Sequence, residues 1–207
     1  MTLASTQATA PGVLISEVGP RDGLQSIART LPTAHKRAWI TALHAAGLRE
    51  IEVGSFVPAR LLPQMADVAA VVQHALTLPG LTVMALVPNR QGAAAALAAG
   101  VHKLTIPVSA SAAHSLANVR KTREQMVEEV RAIVALRDAH ERAHARPGAQ
   151  APRVGIEVGL STAFGCTLQG RVPEDDVLWL ADQVAATGVD EVGLSDTTGM
   201  AQPAQVR

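Results

Sequence analysis

The sequence predicts an α/β fold, a (β/α)8 TIM barrel present in part, with about six strands and five to six helices. Three observations predict it. Runs rich in Val, Ile and Leu alternate with longer stretches of helical period, as parallel strands joined by crossover helices do. Polar and unusual residues recur where the apolar runs end. Three times a helical stretch closes on a glycine before the chain turns apolar again, at Ala46-Gly47-Leu48, Ala99-Gly100-Val101 and Thr187-Gly188-Val189. That weak repeat has a spacing of roughly thirty to fifty residues, longer than a short solenoid repeat.

The elements follow in order. A first strand near Val13 to Val18 ends at the turn Gly19-Pro20, and a helix from Thr33 to Ala46 starts behind Pro32 and stops at Gly47. A strand at Glu50 to Gly54 and a helix from Leu62 to Ala75 come next, then a strand from Leu81 to Val87 and a helix from Arg90 to Ala99 stopped by Gly100. The strand Lys103 to Val108 leads to a long helix, Lys121 to His144. Arg153 to Gly159 reads as the fifth strand; Pro173-Glu174-Asp175 opens a helix that runs to Ala186, and Glu191 to Leu194 is the sixth strand. Residues 1–12 are small and polar and are expected to be a flexible N-terminus, leaving 13–207 as the barrel domain.

An open six-stranded sheet would show the same alternation. Neither nucleotide fingerprint is present: no Gly-x-Gly-x-x-Gly opens a helix after the first strand, and there is no Gly-x-x-x-x-Gly-Lys-Ser/Thr. The strand ends instead carry Arg21-Asp22, Ser55-Phe56, Pro88-Asn89, Ser109 and Ser111, Ser161-Thr162, and Ser195-Asp196-Thr197-Thr198, where barrel enzymes place their sites. An eight-unit barrel takes about 250 residues. With 207, the chain is expected to hold only part of one, with its first and sixth strands as open edges.

Composition narrows the function. Lys plus Arg and Asp plus Glu are 18 each, so no net field holds nucleic acid or an anionic membrane. Two Trp, two Phe and no Tyr leave few platforms for stacking bases. The single cysteine, Cys166, excludes an internal disulfide and fits a reducing compartment; with no signal-like or membrane-spanning stretch, a cytoplasmic protein is expected. Assembly has no signature here, and a homo-oligomer stays open.

The most informative residues are Glu17-Val18-Gly19-Pro20-Arg21-Asp22-Gly23-Leu24-Gln25, an arginine, a carboxylate and an amide delivered just past a strand. Asp22 is the kind of oxygen ligand that hard divalent ions prefer. Glu52 lies inside an apolar strand, where a carboxylate is costly unless a cation meets it, and Arg21 on the neighbouring strand is its natural partner. His140-Glu141-Arg142-Ala143-His144 matches a zinc-protease pattern, but at the polar end of a helix it is better read as a solvated terminus. Cys166 reads as a small apolar filler, with no histidine nearby to lower its pKa. Asp196 orients a ligand or caps the following helix, and the residues favour neither.

These residues resemble the hydroxymethylglutaryl-CoA lyases, within the metal-dependent lyase and synthase barrels. Arg21-Asp22-Gly23-x-Gln25 is common to that superfamily, and Glu17-Val18-Gly19-Pro20 looks like its lyase branch. Further matches are Ile51-Glu52 with Ser55-Phe56-Val57-Pro58, Pro63-Gln64-Met65, Pro88-Asn89, Gly165-Cys166, and Asp196-Thr197 with Gly199. The resemblance implies a Mg2+- or Mn2+-assisted retro-Claisen cleavage of 3-hydroxy-3-methylglutaryl-CoA to acetyl-CoA and acetoacetate. By it Asp22 is a metal ligand, Arg21 stabilises the enolate at the thioester oxygen, Glu52 holds Arg21, and Gln25 fixes Asp22 or a bound water. Ser161 and Asp196 are candidate substrate contacts, and the partner is an acyl-CoA. The family's His-x-His pair, its asparagine and its loop cysteine have no match among these residues. Two other readings stay open: a catalytically incomplete remnant or binding segment, and a related 2-oxoacid aldolase or condensing synthase.

Overall fold

The structure, a computed structural model, describes residues 12–145 and 153–206. The predicted N-terminal segment, residues 1–12, lies outside them apart from Gly12. Six strands form one parallel sheet in the order β1-β2-β3-β4-β5-β6: Ser16–Glu17, Glu50–Ser55, Thr82–Leu86, Lys103–Ser109, Gly155–Ser161 and Glu191–Leu194. The helices that return the chain are α1 (Thr33–Ala45), α2 (Val68–Ala75), α3 (Arg90–Ala99), α4 (Ala112–Val119), α5 (Arg123–His144), α6 (Glu174–Ala185) and a last short α7 (Pro203–Val206).

The sheet is curled into a half-barrel, and one side chain demonstrates it. Lys103 on β4 reaches carboxylates two strands away on both sides, Glu50 on β2 at 3.6 Å and Glu191 on β6 at 2.7 Å, as well as Glu157 on β5 at 2.8 Å. Neighbouring strands lie about 4.8 Å apart, so a flat sheet would hold those groups too far off for one ammonium. The open six-stranded sheet weighed from the sequence is thereby excluded.

Alternation along the strands sorts the residues. Ile51, Val53, Val83, Ala85, Leu104, Ile106, Ile156, Val158 and Leu160 are buried, packing with Ile40, Val72, Ala93, Ala96, Ile133, Leu180 and Val184 of the helices. Each of the Val, Leu and Ile side chains among them, removed from water, contributes about 1.5–3 kcal/mol. Gly54 lets α2 approach: a Cβ there would lie 2.6 Å from Val68 Cγ2.

Several predicted elements differ from those observed. β1 is two residues long rather than Val13 to Val18, because Val13, Leu14 and Ile15 are exposed and pair with nothing among the described residues. The helix expected from Leu62 is a 3-10 turn, Pro63–Met65, followed by α2 only from Val68. Helix α4 was missed; Ser111 caps it by accepting the His114 N–H, and the left-handed Arg120 ends it. The long helix begins at Arg123 rather than Lys121, because Thr122 and Gln125 form a capping box.

Candidate functional site

The C-terminal ends of the strands open on a cleft of about 480 Å3 lined by Arg21, Asp22, Glu52, Met84, Thr105 and Glu157 among others. Arg21 and Asp22 arrive there on a single π-helical turn, Gly19–Gly23, whose Pro20 is buried. Such turns are frequent at functional sites. Gly19 makes this one possible: its N–H donates to Glu17 Oε1 at 2.6 Å, and a Cβ would sit 2.7 Å from the same oxygen.

Arg21 is the centre of the arrangement. Its Nε donates to Glu52 Oε2 at 2.5 Å and its Nη1 to Asp22 Oδ1 at 2.6 Å, with no partner on Nη2 among the described residues. Glu52 is 1% exposed, and the Thr105 hydroxyl donates to its other oxygen, Oε1. Burial pushes the Glu52 carboxyl above its ordinary 4.5; Arg21 and Thr105 oppose that push, and the nearby Glu157 charge adds to it. Asp22 is the reverse case, 57% exposed, with Gln25 Nε2 also donating to Oδ1 at 3.0 Å. Its Oδ2 carries no hydrogen bond among the described residues.

Asp22 is a donor of the type a hard divalent ion takes. The described residues contain no group of three His, Cys, Asp or Glu side chains placed to hold a metal. Among the described residues, the Asp22 carboxylate offers such an ion an oxygen that carries no hydrogen bond at the cleft.

The remaining sequence candidates separate. Ser161 and Asp196 both line the cleft. Asp196 accepts the Met200 N–H on Oδ1 at 2.9 Å and the Ala201 N–H on Oδ2 at 3.2 Å, so it closes the turn before α7. Glu141 of the His-Glu-x-x-His stretch accepts the Val154 N–H at 2.8 Å and ties the end of α5 to the start of β5, while the His140 and His144 rings stack at 4.1 Å. Cys166 is buried as expected; burial raises its pKa, yet the Ser111 hydroxyl and the N–H groups of Leu168 and Gln169 bring it below the ordinary value.

Thr105, Glu157 and Lys103 escaped the reading of the sequence. Lys103 is raised to about 12: burial works against its charge, and Glu157, Glu191 and Glu50 overcome it. Their signal was present, since Lys103 and Thr105 on β4, two apart, and Glu157 and Ser161 on β5, four apart, are polar residues on one face of otherwise apolar runs.

A family model described as HMGL-like matches residues 12–207. The 3-hydroxy-3-isohexenylglutaryl-CoA/hydroxymethylglutaryl-CoA lyase of Pseudomonas aeruginosa is 35% identical over 188 residues, 91% of this chain and 59% of the relative. The crystal structure of the Bacillus subtilis HMG-CoA lyase superposes with a TM-score of 0.84 at 33% identity, over 94% of this chain and 61% of that one. An HMG-CoA lyase from Acinetobacter baumannii, solved in complex with coenzyme A and 3-methylmalate, superposes with a TM-score of 0.81 at 32% identity, over 93% of this chain and 59% of that one. The chain thus spans about three-fifths of the length of these relatives.

Proposed function

This chain belongs to the HMGL-like family, and from that premise we propose that it forms the substrate-activating part of a carbon-carbon lyase acting on 3-hydroxy-3-methylglutaryl-CoA. The observation that carries the reading is the Arg21 guanidinium, oriented by a buried carboxylate and set beside an exposed one at the barrel mouth.

In the reaction the bond between the carbinol carbon and the α-carbon of the thioester breaks. Its electron pair goes to the thioester enolate, the tertiary hydroxyl loses its proton as the ketone forms, and the enolate carbon takes up a proton to give acetyl-CoA. Arg21, with Nη2 free, meets the developing charge on the thioester oxygen, the kind of preorganised donor that acts most strongly in a dry site. Glu52 keeps the guanidinium from turning away, and Gln25 keeps the Asp22 carboxylate facing the cleft. A divalent ion, Mg2+ or Mn2+, held in part by Asp22 would ease loss of the hydroxyl proton. Ser161 and Asp196, both on the cleft wall, are the proposed substrate contacts.

The acyl-CoA class is supported by the names of the relatives and by the coenzyme A in the Acinetobacter structure. No described helix is long and apolar enough to cross a membrane; a cytoplasmic location is proposed with the activity. The test supplies 3-hydroxy-3-methylglutaryl-CoA and Mn2+ to the chain, alone and mixed with the C-terminal two-fifths of the Bacillus relative. Acetyl-CoA and acetoacetate are measured. Equal amounts of both from the mixture are expected, and no product from any sample would contradict the reading.

A further inference from the structure

Glu52 is gripped at both oxygens. Arg21 Nε takes Oε2 from β1's following turn, and the Thr105 hydroxyl takes Oε1 from β4, two strands away across the concave face. The last torsion of a glutamate is broad and only two-fold, so one contact leaves the carboxylate plane free to swing, whereas two contacts from opposite sides fix it. We infer that Thr105 is a positioning residue: by fixing the plane of the Glu52 carboxylate it sets the direction in which Arg21 offers its free Nη2 edge to the cleft.

Nothing else among the described residues does this. The Glu52 carboxylate accepts no other hydrogen bond, and Met84, its register neighbour on β3, has no polar hydrogen to donate. Without the hydroxyl, Oε1 would be a buried acceptor with no donor, and the carboxylate would turn to find one. Arg21, whose other contact is to the exposed Asp22, would turn with it.

The inference rests on the reading of Arg21 given above, but its test needs no turnover, so an inactive sample counts against that reading and not against this one. The guanidinium Nε–H signals of an arginine-15N-labelled chain report on Arg21 directly. Arg137 Nε, which donates to Asp138 at 2.6 Å from a fully buried side chain on α5, is the internal control. Thr105→Val is expected to speed hydrogen exchange at Arg21 by about tenfold or more while leaving Arg137 unchanged, and Thr105→Ser, which restores the hydroxyl, should keep the parent rate. Exchange at Arg21 unaltered in Thr105→Val, equal loosening of both arginines, a serine variant as fast as the valine one, or no slowly exchanging Arg21 signal in the parent would each overturn it.

Discussion

Glu52 is a buried acid whose pKa in the folded chain stands above its ordinary 4.5, chiefly through loss of water. The folded state therefore binds that proton more tightly than the unfolded state does. The resulting stabilisation is complete below about pH 4.5 and is lost as pH rises through the folded value. Compared with Glu52→Gln, the parent chain is expected to lose stability on going upward from pH 4.5, read as a falling difference in urea midpoints. Parallel curves would mean that no shift exists. Asp22 makes a different prediction, because its carboxylate is exposed at the cleft with one oxygen that carries no hydrogen bond among the described residues. Asp22→Ala should weaken Mn2+ binding measured by calorimetry, and an unchanged affinity would remove Asp22 from any metal site.

At the scale of elements, the inner face of β4 does more than the sequence disclosed. Lys103 closes the floor of the half-barrel by meeting Glu50, Glu157 and Glu191. Replacing it with Met would leave the buried Glu50 without a cation beside Glu157 and the more exposed Glu191, and, because solvent screens those last two, is expected to cost about 1–3 kcal/mol of stability. A melting temperature equal to that of the parent would place those acids in water. What could be read in advance was what depends on local pattern. The strands β2 to β6 follow from Val, Ile and Leu runs, the ends of α1, α3 and α6 from Gly47, Gly100 and Gly188, and the pairing of Arg21 with Glu52 from a charge inside an apolar strand. What could not be read depends on curvature. Thr105 and Lys103 meet residues on other strands only because the sheet curls, and no spacing in the chain encodes those distances. Helix α4 was lost for a nearer reason: Ser109 and Ser111 looked like a polar strand end, whereas Ser111 is also the cap of the next helix.

For the whole molecule, the charges of the chain balance but those of the concave face do not. Asp22, Glu50, Glu52, Glu157, Glu191 and Asp196 stand there against Arg21 and Lys103. That surplus suits a site that receives a cation. The outer face carries a second asymmetry. Val158 and Leu160 on β5 are fully buried, yet their register partners Val192 and Leu194 on β6 are 36% and 56% exposed. Apolar surface of this kind should bind a hydrophobic dye, and the double substitution of Val192 and Leu194 by Thr should reduce the fluorescence. Dye binding unaffected by that change would locate the exposed surface elsewhere.

The central claim is that Arg21, aimed by Glu52, stabilises the charge that develops when the carbon-carbon bond breaks. Its most direct test compares the parent with Arg21→Met in two measurements on a sample competent for cleavage: turnover of 3-hydroxy-3-methylglutaryl-CoA and affinity for Mn2+. Loss of a preorganised charge-stabilising donor typically costs about 3 kcal/mol or more of transition-state energy. The account predicts a fall in turnover of about a hundredfold or more with Mn2+ affinity nearly unchanged. Undiminished turnover by Arg21→Met would contradict it.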